Sequence, residues 1–519
     1  MVYTFTLPTT SPLSFQTFIS SSTHPSLPQS ASTARHALRL TLKAHKRLPH
    51  GPRQDAHLQT VLSALNEYIP YLFAISHGLR GQSIQTDTHA EEIDITVRAD
   101  IESEWKPTLS ASSAINIRPN ATTSGAVPGR TRNGRISGRG IDFEIAFTLT
   151  TLGYVLSRLA RAGVVESLYA STTPTPEQRT AAVQTATKNL LLASSVHGLL
   201  ATSPLFTAAT ASAIPDLNAS TQSALSSLAL AEATLLAVLK DDAHVAACIQ
   251  ARNPNDREWM VRAPEIPKVR ALLFARLCVR AAEYAEQAAA GLGAVGPGAG
   301  KSAQVEEDVT RYAGALGRVA RARACRFFGV DAELAGKTGE GIAWLKAARS
   351  ALGLRGQGPS PEADGACNAP SKGGFSRLKR EWAERREERK IGKDAGGSRS
   401  AKGSLDPGDD AGRGEEGNVI DMLDTKWTKM NDTINTQIIP PSAPLLANLP
   451  SGRDIHTPPA PYTPPSIDTD QLLRMRAPPD EHQDLHFGSD DDSEEEASPT
   501  PGPPGGFPDR AQTASNVYY

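Results

Sequence analysis

The sequence predicts a protein built mainly from α-helices, with a small β element near its N-terminus. Aromatic residues make up only 5% of the chain. Alanine and leucine recur throughout it, a composition that favours helices over a sheet-rich fold. Apolar residues also return every three or four positions over long stretches, which is the spacing of one buried helix face. These two observations indicate an all-α-dominated fold.

The first residues break this helical pattern. Tyr3 and Phe5 alternate with polar residues, as in a strand, and several prolines follow. Proline also pushes the residue before it toward an extended conformation. We therefore predict an extended arm or short strands over residues 3–28. Helical periodicity then dominates residues 31–105, with a candidate strand at 93–97.

Strong helical segments fill the middle of the chain. The stretch IDFEIAFTLTTLGYVLSRLARAGVV is apolar enough for a buried helix, and turn signals from proline and glycine separate the segments that follow it. The predicted helices are 141–165, 176–201, 219–248, 266–290, 304–335 and 340–354.

Composition divides the chain into one large domain and a tail. Residues 1–479 hold the periodic apolar segments, whereas residues 480–519 carry SDDDSEEEASPTPGPPGG and lack the apolar content for a core. Within the domain, the Ser/Gly/Arg-rich stretch 107–140 is predicted as a loop. Residues 355–418 are rich in Gly, Ser, Pro and charge, and are predicted as a disordered insertion. Such an insertion can loop out, because the cost of loop closure grows slowly with length.

The charge balance and the cysteine pattern argue against a nucleic-acid-binding, membrane or secreted protein. Lys and Arg total 54 against 56 for Asp and Glu, so the summed charge indicates neither a nucleic-acid nor a membrane partner. The four cysteines are far apart and form no C-x-x-C pair, which favours free thiols in a reducing compartment. The N-terminus lacks the features of a secretory leader, and no apolar stretch has the length of a membrane span. We expect a soluble, intracellular protein.

Two glycine-rich motifs resemble nucleotide sites but lack essential features. GLGAVG (Gly291, Gly293, Gly296) matches G-x-G-x-x-G, yet a helical stretch, RAAEYAEQAAA, precedes it where that motif requires a strand. GPGAGKS resembles a Walker A loop, but Val295 occupies the position that needs glycine. We therefore expect no nucleotide or other cofactor.

No signature of catalysis or metal binding is visible in the sequence. His244 and Cys248 could present two metal ligands from one helix face, but structural zinc requires four ligands and no second pair is present. No G-x-S-x-G or H-E-x-x-H pattern occurs. The basic stretches 130–139 and 377–393 are interpreted as solvated charged surface, with weak adhesion to acidic lipid as the alternative. A long helical array remains, and such arrays usually bind a partner segment, often an amphipathic helix.

Six segments, in the same order, resemble those of the Bro-domain (Alix-like) family. GEGIAWLKAA resembles the family's G-E-E-I-A-R-L-x-x-A signature, and DFEIAFTLTTLGYVLSRLA resembles its F-E-x-A-x-x-L-x-N-x-A-A-x-x-S-x-x-A helix. The other four are KNLLLASSVHGLLAT, ALSSLALAEATLLAVLKDDA, KMNDTINTQIIPP and SIDTDQLLRMRAPP. The chain departs from the signature at Gly341, where the family has glutamate, and at Trp344, where it has arginine. Gly341 removes a possible capping-box partner of Thr338, which should loosen the start of that helix.

This resemblance implies a boomerang-shaped helical domain with tetratricopeptide-like hairpins over residues 1–479. The stretch Gly339–Gly341 would be the turn of one helical hairpin. A buried stripe of residues three or four apart would follow that turn. Its members are Ile342, Leu345, Ala348 and Leu352.

The resemblance also implies a binding function without catalysis. Bro domains bind the C-terminal amphipathic helix of the core ESCRT-III filament subunit through an exposed hydrophobic patch on their concave face. Leu225 and Leu228 share a helix face with the polar Glu232, and this mixed face suits a partly exposed groove. Carried over to this chain, the patch comprises Ile214, Leu217, Leu225, Leu228, Leu472 and Leu473.

The N-terminal segments YTFTLPTTSPLSFQTFISSSTHPSLP and LRLTLKAHKRLP are most similar to one fungal branch of the family, whose members regulate the response to ambient pH. This similarity implies a cytoplasmic adaptor, recruited to the plasma membrane or an endosomal membrane, that links a plasma-membrane pH-sensor complex to ESCRT-III. It would thereby promote the proteolytic activation of a zinc-finger transcription factor. A general multivesicular-body sorting adaptor is the alternative function, and an enzyme or nucleotide binder is a third.

Overall fold

Helices make up most of the chain that the structure describes. The computed structural model describes residues 2–85, 90–110, 134–169, 174–206, 214–251, 268–294, 305–354, 410–457 and 459–477. Contacts group Met1–Arg476 into one compact unit. The predicted domain end at residue 479 and the predicted disorder of the tail lie outside the described residues and stay predictions.

Short antiparallel strands form the predicted β element. β1 (Thr9–Thr10), β6 (Glu102–Lys106) and β7 (Ile136–Arg139) make a three-stranded sheet in the order β1-β6-β7. The pairs β2 (Ile19–Ser20) with β5 (Thr96–Val97) and β3 (Ile84–Gln85) with β4 (Ala90–Glu91) are separate. The strand predicted at 93–97 thus begins later than expected. The prediction of a loop over 107–140 is wrong at β7, and residues 111–133 lie outside the described part.

A buried carboxylate joins this sheet to the first helices. Glu144 accepts hydrogen bonds from Arg35 Nε at 2.8 Å, from the Tyr68 hydroxyl at 3.0 Å and from Trp105 Nε1 at 2.7 Å. Burial opposes the charge on Glu144, but Arg35 and these hydrogen bonds hold the pKa of its carboxyl below the usual value. The helices involved are α1 (Leu27–Arg47), α2 (Pro52–Ala56), α3 (Leu58–Leu79) and α4 (Ile141–Leu168).

From α4 onward, long helices pack against their neighbours in a series, as tetratricopeptide-like hairpins do. α4 contacts α5, α5 contacts α6, α6 contacts α8, and α9 and α10 continue the series. α6 is long and apolar enough to span a membrane by composition, but most of it is buried by its neighbours. The bounds are α5 Pro176–Thr202, α6 Ala219–Asp241, α7 Ala243–Ala251, α8 Lys268–Ala294, α9 Glu307–Leu334 and α10 Thr338–Ala351.

Two predicted boundaries need correction. The helix predicted over 219–248 is interrupted at Asp242, whose backbone leaves the helical region and whose Oδ1 accepts from the N–H of Val245 at 3.2 Å. The disordered insertion was predicted to end at residue 418, yet α11 (Arg413–Met430) begins inside that range. Residues 355–409 of the insertion lie outside the described residues. α12 (Ser442–Ala447) and α13 (Thr469–Met475) complete the described helices.

The glycines of GEGIAWLKAA lie inside a helix and do not form the hairpin turn. The turn between α9 and α10 lies at Gly336, which has a φ of +78°. Gly339 is covered by the chain at Ile438, whose carbonyl oxygen would collide with a Cβ. A Cβ on Gly341 would lie 3.1 Å from the carbonyl oxygen of Gly329 on α9. Both glycines therefore permit close packing, and the predicted buried stripe from Ile342 to Leu352 is confirmed.

The start of α10 is also held more firmly than predicted. The side chain of Gln437 accepts from the N–H of Gly339 at 3.0 Å and donates to the carbonyl of Gly336 at 2.9 Å. Asn435 donates to the hydroxyl of Thr338 at 2.8 Å. Side chains from a distant segment therefore replace the capping box that Gly341 removes.

Candidate functional site

The six residues predicted to contact a partner are divided between α6, the turn before it and α13. Only Leu473 is exposed, with 53% of its surface accessible. The prediction that all six form an exposed patch is wrong, because five side chains lie in the hydrophobic core. Leu473 as a contact stays a prediction. The five buried residues are Ile214, Leu217, Leu225, Leu228 and Leu472.

Leu225 and Leu228 lie on the inner side of α6, which the N-terminal arm covers. Glu232 shares this side, since residues three and four apart stack along a helix. The N–H of Tyr3 donates to Glu232 Oε1 at 2.9 Å, and Arg161 Nη1 donates to a carbonyl of the same arm at 2.7 Å. The polar residue that suggested an open groove is therefore a buried acceptor for a segment far away in sequence.

Burial makes Glu232 unusually easy to protonate. It raises the pKa of the Glu232 carboxyl to about 7, although the hydrogen bond from the N–H of Tyr3 and the nearby Tyr312 hydroxyl act in the opposite direction. A carboxyl group so placed favours its neutral form, because charge is costly away from water.

Ile214 and Leu217 are buried because the turn between them is anchored to the sheet. Asp216, within the 3₁₀ turn Pro215–Leu217, accepts from the N–H of Thr108 at 2.8 Å and from that of Leu109 at 3.1 Å. Burial raises the pKa of Asp216 to about 6, against the effect of these two N–H groups. The turn is therefore a structural link and leaves no side chain for a partner.

The outer side of α6 is different, and together with α5 it forms the surface that we call the α5–α6 face. Ser223 is exposed, and Ser226 and Leu230 are partly exposed. Ser226 ties the two helices together by donating to the carbonyl of Ser194 at 2.9 Å. Leu192 of α5 is 39% exposed, but it points away from α6, because Ser194 faces α6 and residues two apart do not share a helix face. The α5–α6 face, defined by Ser223, Ser226 and Leu230, thus offers one partly exposed leucine beside small polar side chains.

An extended segment, residues 451–456, lies next to this face. The N–H of Arg453 donates to the carbonyl of Arg276 on α8 at 3.1 Å. Arg280 Nε donates to Asp454 at 2.8 Å. The His456 ring lies close to the backbone of Ala233 on α6, one helical turn beyond Leu230. The segment therefore crosses from α8 to α6 and borders the α5–α6 face on one side.

A cluster of buried charges lies at the other end of the helical series. Arg323 Nε donates to Glu416 at 2.9 Å, and Arg326 donates to Glu416 and Asp242 at 2.5 Å each. Burial opposes the charge on Asp242, but Arg326 and Arg323 hold the pKa of its carboxyl below the usual value. The charges neutralise one another and fasten α11 to α7 and α9, so the cluster has a structural role.

His244, one of the two possible metal ligands in the sequence, lies near this cluster, and so does the thiol of Cys278. Burial and the Arg326 charge lower the pKa of His244 to about 4, and burial raises the pKa of Cys278 to about 12. No group of three or more His, Cys, Asp or Glu side chains in the described residues could hold a metal ion.

The glycine-rich motif GLGAVG begins within helix α8. Gly291 and Gly293 lie in the last turns of that helix. A Cβ on Gly291 would approach the Cβ of Ala224 to 3.0 Å, so this glycine permits close packing of α8 on α6. Gly296 and Val295 lie outside the described residues.

Comparison with known proteins agrees with this architecture. No family model matches the chain. It is 60% identical, over the full length of both chains, to the pH-response regulator protein palC of Emericella nidulans. Its structure is similar to that of ALIX in complex with a viral late-domain peptide, with a TM-score of 0.50, 14% identity, and coverage of 92% of this chain and 51% of that one.

A second solved structure, the ALIX BRO1 domain in complex with CHMP4C, has a TM-score of 0.47 and 14% identity. It covers 89% of this chain and 96% of that one. The fold is that of a Bro domain: a mostly helical array with a few short strands. The chain belongs to the PalC family of pH-response regulators.

Proposed function

We propose that the chain is a non-catalytic adaptor in fungal ambient-pH signalling. The observation that carries this proposal is the 60% identity to a pH-response regulator over the full length of both chains. The described structure agrees with a binding role, because its buried ionisable groups are engaged in links between elements. Glu144, Asp216 and the buried ion pairs of Arg326 each join segments that are far apart in sequence.

In this proposal the adaptor links a plasma-membrane pH-sensor complex to ESCRT-III. It promotes the proteolytic activation of a zinc-finger transcription factor and works in the cytoplasm, recruited to the plasma membrane or an endosomal membrane. The Bro-domain resemblance supplies the partner segment, the C-terminal amphipathic helix of the core ESCRT-III subunit. Such a helix presents apolar anchors at positions i, i+3, i+4 and i+7.

The α5–α6 face is the proposed docking site for that helix. Leu230 provides apolar contact and does not belong to the hydrophobic core. The serines around it are small, so the backbone of a partner helix can approach closely. Leu225 and Leu228 are buried beneath this face and do not contact the partner.

The test is a titration of the full chain with a peptide of the ESCRT-III C-terminal helix. Leu230→Asp should weaken binding by about 30-fold, the effect of losing a central contact. Leu334→Asp is the control, since Leu334 is an accessible leucine on another helix, 39% exposed on α9, and this variant should bind normally. Leu473→Asp tests the exposed residue that the sequence predicted. Unchanged binding in Leu230→Asp would reject the α5–α6 face, and no binding by the unmodified chain would reject the partner.

A further inference from the structure

A cluster of basic side chains surrounds the C-terminal half of α1. Four come from α1 itself, one ends strand β6 and one precedes β7, so the antiparallel sheet brings the last two beside the helix. We call this set the basic cluster. It comprises Arg39, Lys43, Lys46, Arg47, Lys106 and Arg135.

The members of the basic cluster are close enough to repel one another. The charge of Lys106, followed by partial burial and the charge of Arg135, lowers the pKa of Lys46. Partial burial and then the charges of Arg39 and Arg135 lower the pKa of Lys43. Because these like charges repel one another, an anionic surface that neutralises several of them at once gives a favourable electrostatic energy.

The described part of the chain supplies few compensating negative charges. Within the described residues, none of the six side chains takes part in an ion pair, whereas Arg139 on the same sheet pairs with Glu102 at 2.9 Å. Arg39 Nε and Arg135 Nη1 are shielded from solvent and have no hydrogen-bond partner in the part of the chain that is described. The sequence between β6 and β7 adds no acid over residues 111–133. The chain is nearly neutral as a whole, so the excess of positive charge is confined to this region.

An exposed leucine in the same region favours a lipid surface over other polyanions. Leu40 is 51% exposed and follows Arg39 on α1. An apolar side chain among cations suits the boundary between phospholipid headgroups and acyl chains. Single-stranded RNA would instead call for exposed aromatic rings on which bases stack, and Trp105, the aromatic residue next to Lys106, is fully buried.

We propose that the basic cluster and Leu40 dock the protein onto a membrane that carries anionic phospholipids. The proposal deepens the membrane recruitment in the proposed function, on which it rests. It uses elements other than α5 and α6, so that recruitment to a membrane and capture of the ESCRT-III helix can occur together. Being electrostatic, the contact weakens as salt rises.

The experiment is co-sedimentation of the full chain with phosphatidylcholine vesicles, with and without phosphatidylserine. The test variant combines Lys43→Ala, Lys46→Ala and Arg47→Ala. Each basic residue near such a surface contributes roughly fivefold in affinity, so the variant should bind about 100-fold more weakly. The matched control combines Lys188→Ala, Lys346→Ala and Lys429→Ala, which removes the same charge from exposed helix positions elsewhere.

The expected result is binding only to phosphatidylserine vesicles, lost in the test variant, kept in the control and weakened by Leu40→Ser. Equal loss in both triple variants would overturn the proposal, because net charge and not this surface would then decide binding. Binding to single-stranded RNA in place of vesicles would overturn it as well. The ESCRT-III peptide titration, repeated on the test variant, separates failure of this proposal from failure of the proposed function.

Discussion

At the scale of single residues, the buried carboxyl of Glu232 makes stability depend on pH. Burial raises its pKa from 4.5 to about 7, so between these values the folded chain holds a proton that the unfolded chain has lost. Stability therefore falls as pH rises through this window and levels off above it. Asp216, with a pKa raised from 3.8 to about 6, acts in the same direction at lower pH.

Glu232→Gln should reduce this dependence, because glutamine accepts the hydrogen bond from Tyr3 without a charge. The variant should gain stability relative to the unmodified chain as pH rises, by up to about 3 kcal/mol above neutral pH. Urea unfolding across that range measures the effect. Glu177→Gln, at an exposed position of α5, should leave the pH profile unchanged. An identical profile for Glu232→Gln would show that Glu232 is not protonated in the fold.

Leu228 and Leu230 differ by two positions on α6 and should differ strongly in their effect on stability. Leu228 is 1% exposed, and its replacement by alanine should cost about 2–5 kcal/mol of unfolding free energy through lost contacts and a cavity. Leu230→Ala should cost less than about 1 kcal/mol, since that side chain is partly in solvent. Equal losses in chemical denaturation would place both leucines in the core and remove Leu230 as a contact.

At the scale of elements, α11 is attached through a carboxylate that two arginines share. In the described residues, Glu416→Gln leaves Asp242 as the remaining anion beside Arg323 and Arg326. The substitution should therefore lower the free energy of unfolding by about 3–5 kcal/mol. Asp421→Asn on the same helix removes an exposed partner of Arg349 and should cost less than about 1 kcal/mol. Thermal unfolding of both variants compares them. A small loss for Glu416→Gln would mean that apolar packing alone holds α11.

The packing of α10 against residues 435–438 depends on a glycine inside the helix. Alanine usually stabilises a helix relative to glycine by about 1 kcal/mol, and Gly163→Ala on α4 should do so, since its Cβ would meet open space. Gly339→Ala should instead destabilise the folded chain by about 1–3 kcal/mol, because the added Cβ would collide with the carbonyl oxygen of Ile438. Melting temperatures that rise in both variants would contradict this packing.

The sequence predicted the positions of the helices well, but it did not predict which side of each helix is buried. Period-3.6 spacing located α5, α9 and α10 to within a few residues, because each keeps a regular apolar stripe. On α6 nearly every residue is small or apolar, so periodicity could not show which side faces the core. The polar residue that suggested solvent, Glu232, is satisfied by Tyr3 from 229 positions away. Such a long-range hydrogen bond leaves no local signal in the sequence.

At the scale of the whole molecule, we propose that this adaptor has two separate binding surfaces. In this proposal the α5–α6 face binds an amphipathic helix and the basic cluster on α1 binds the membrane. Both lie on the outside of a helical array whose interior is fastened by buried ion pairs. Variants of either surface should therefore alter binding without unfolding the chain.

The most direct measurement of the central claim is processing of the transcription factor in fungal cells whose only copy of this protein carries Leu230→Asp. We predict that processing at alkaline pH is lost, that the variant accumulates at the level of the unmodified protein, and that multivesicular-body cargo sorting stays normal. The Leu334→Asp control should process normally. Normal processing in Leu230→Asp cells would contradict the account, and a sorting defect at constant pH would support a general sorting adaptor instead.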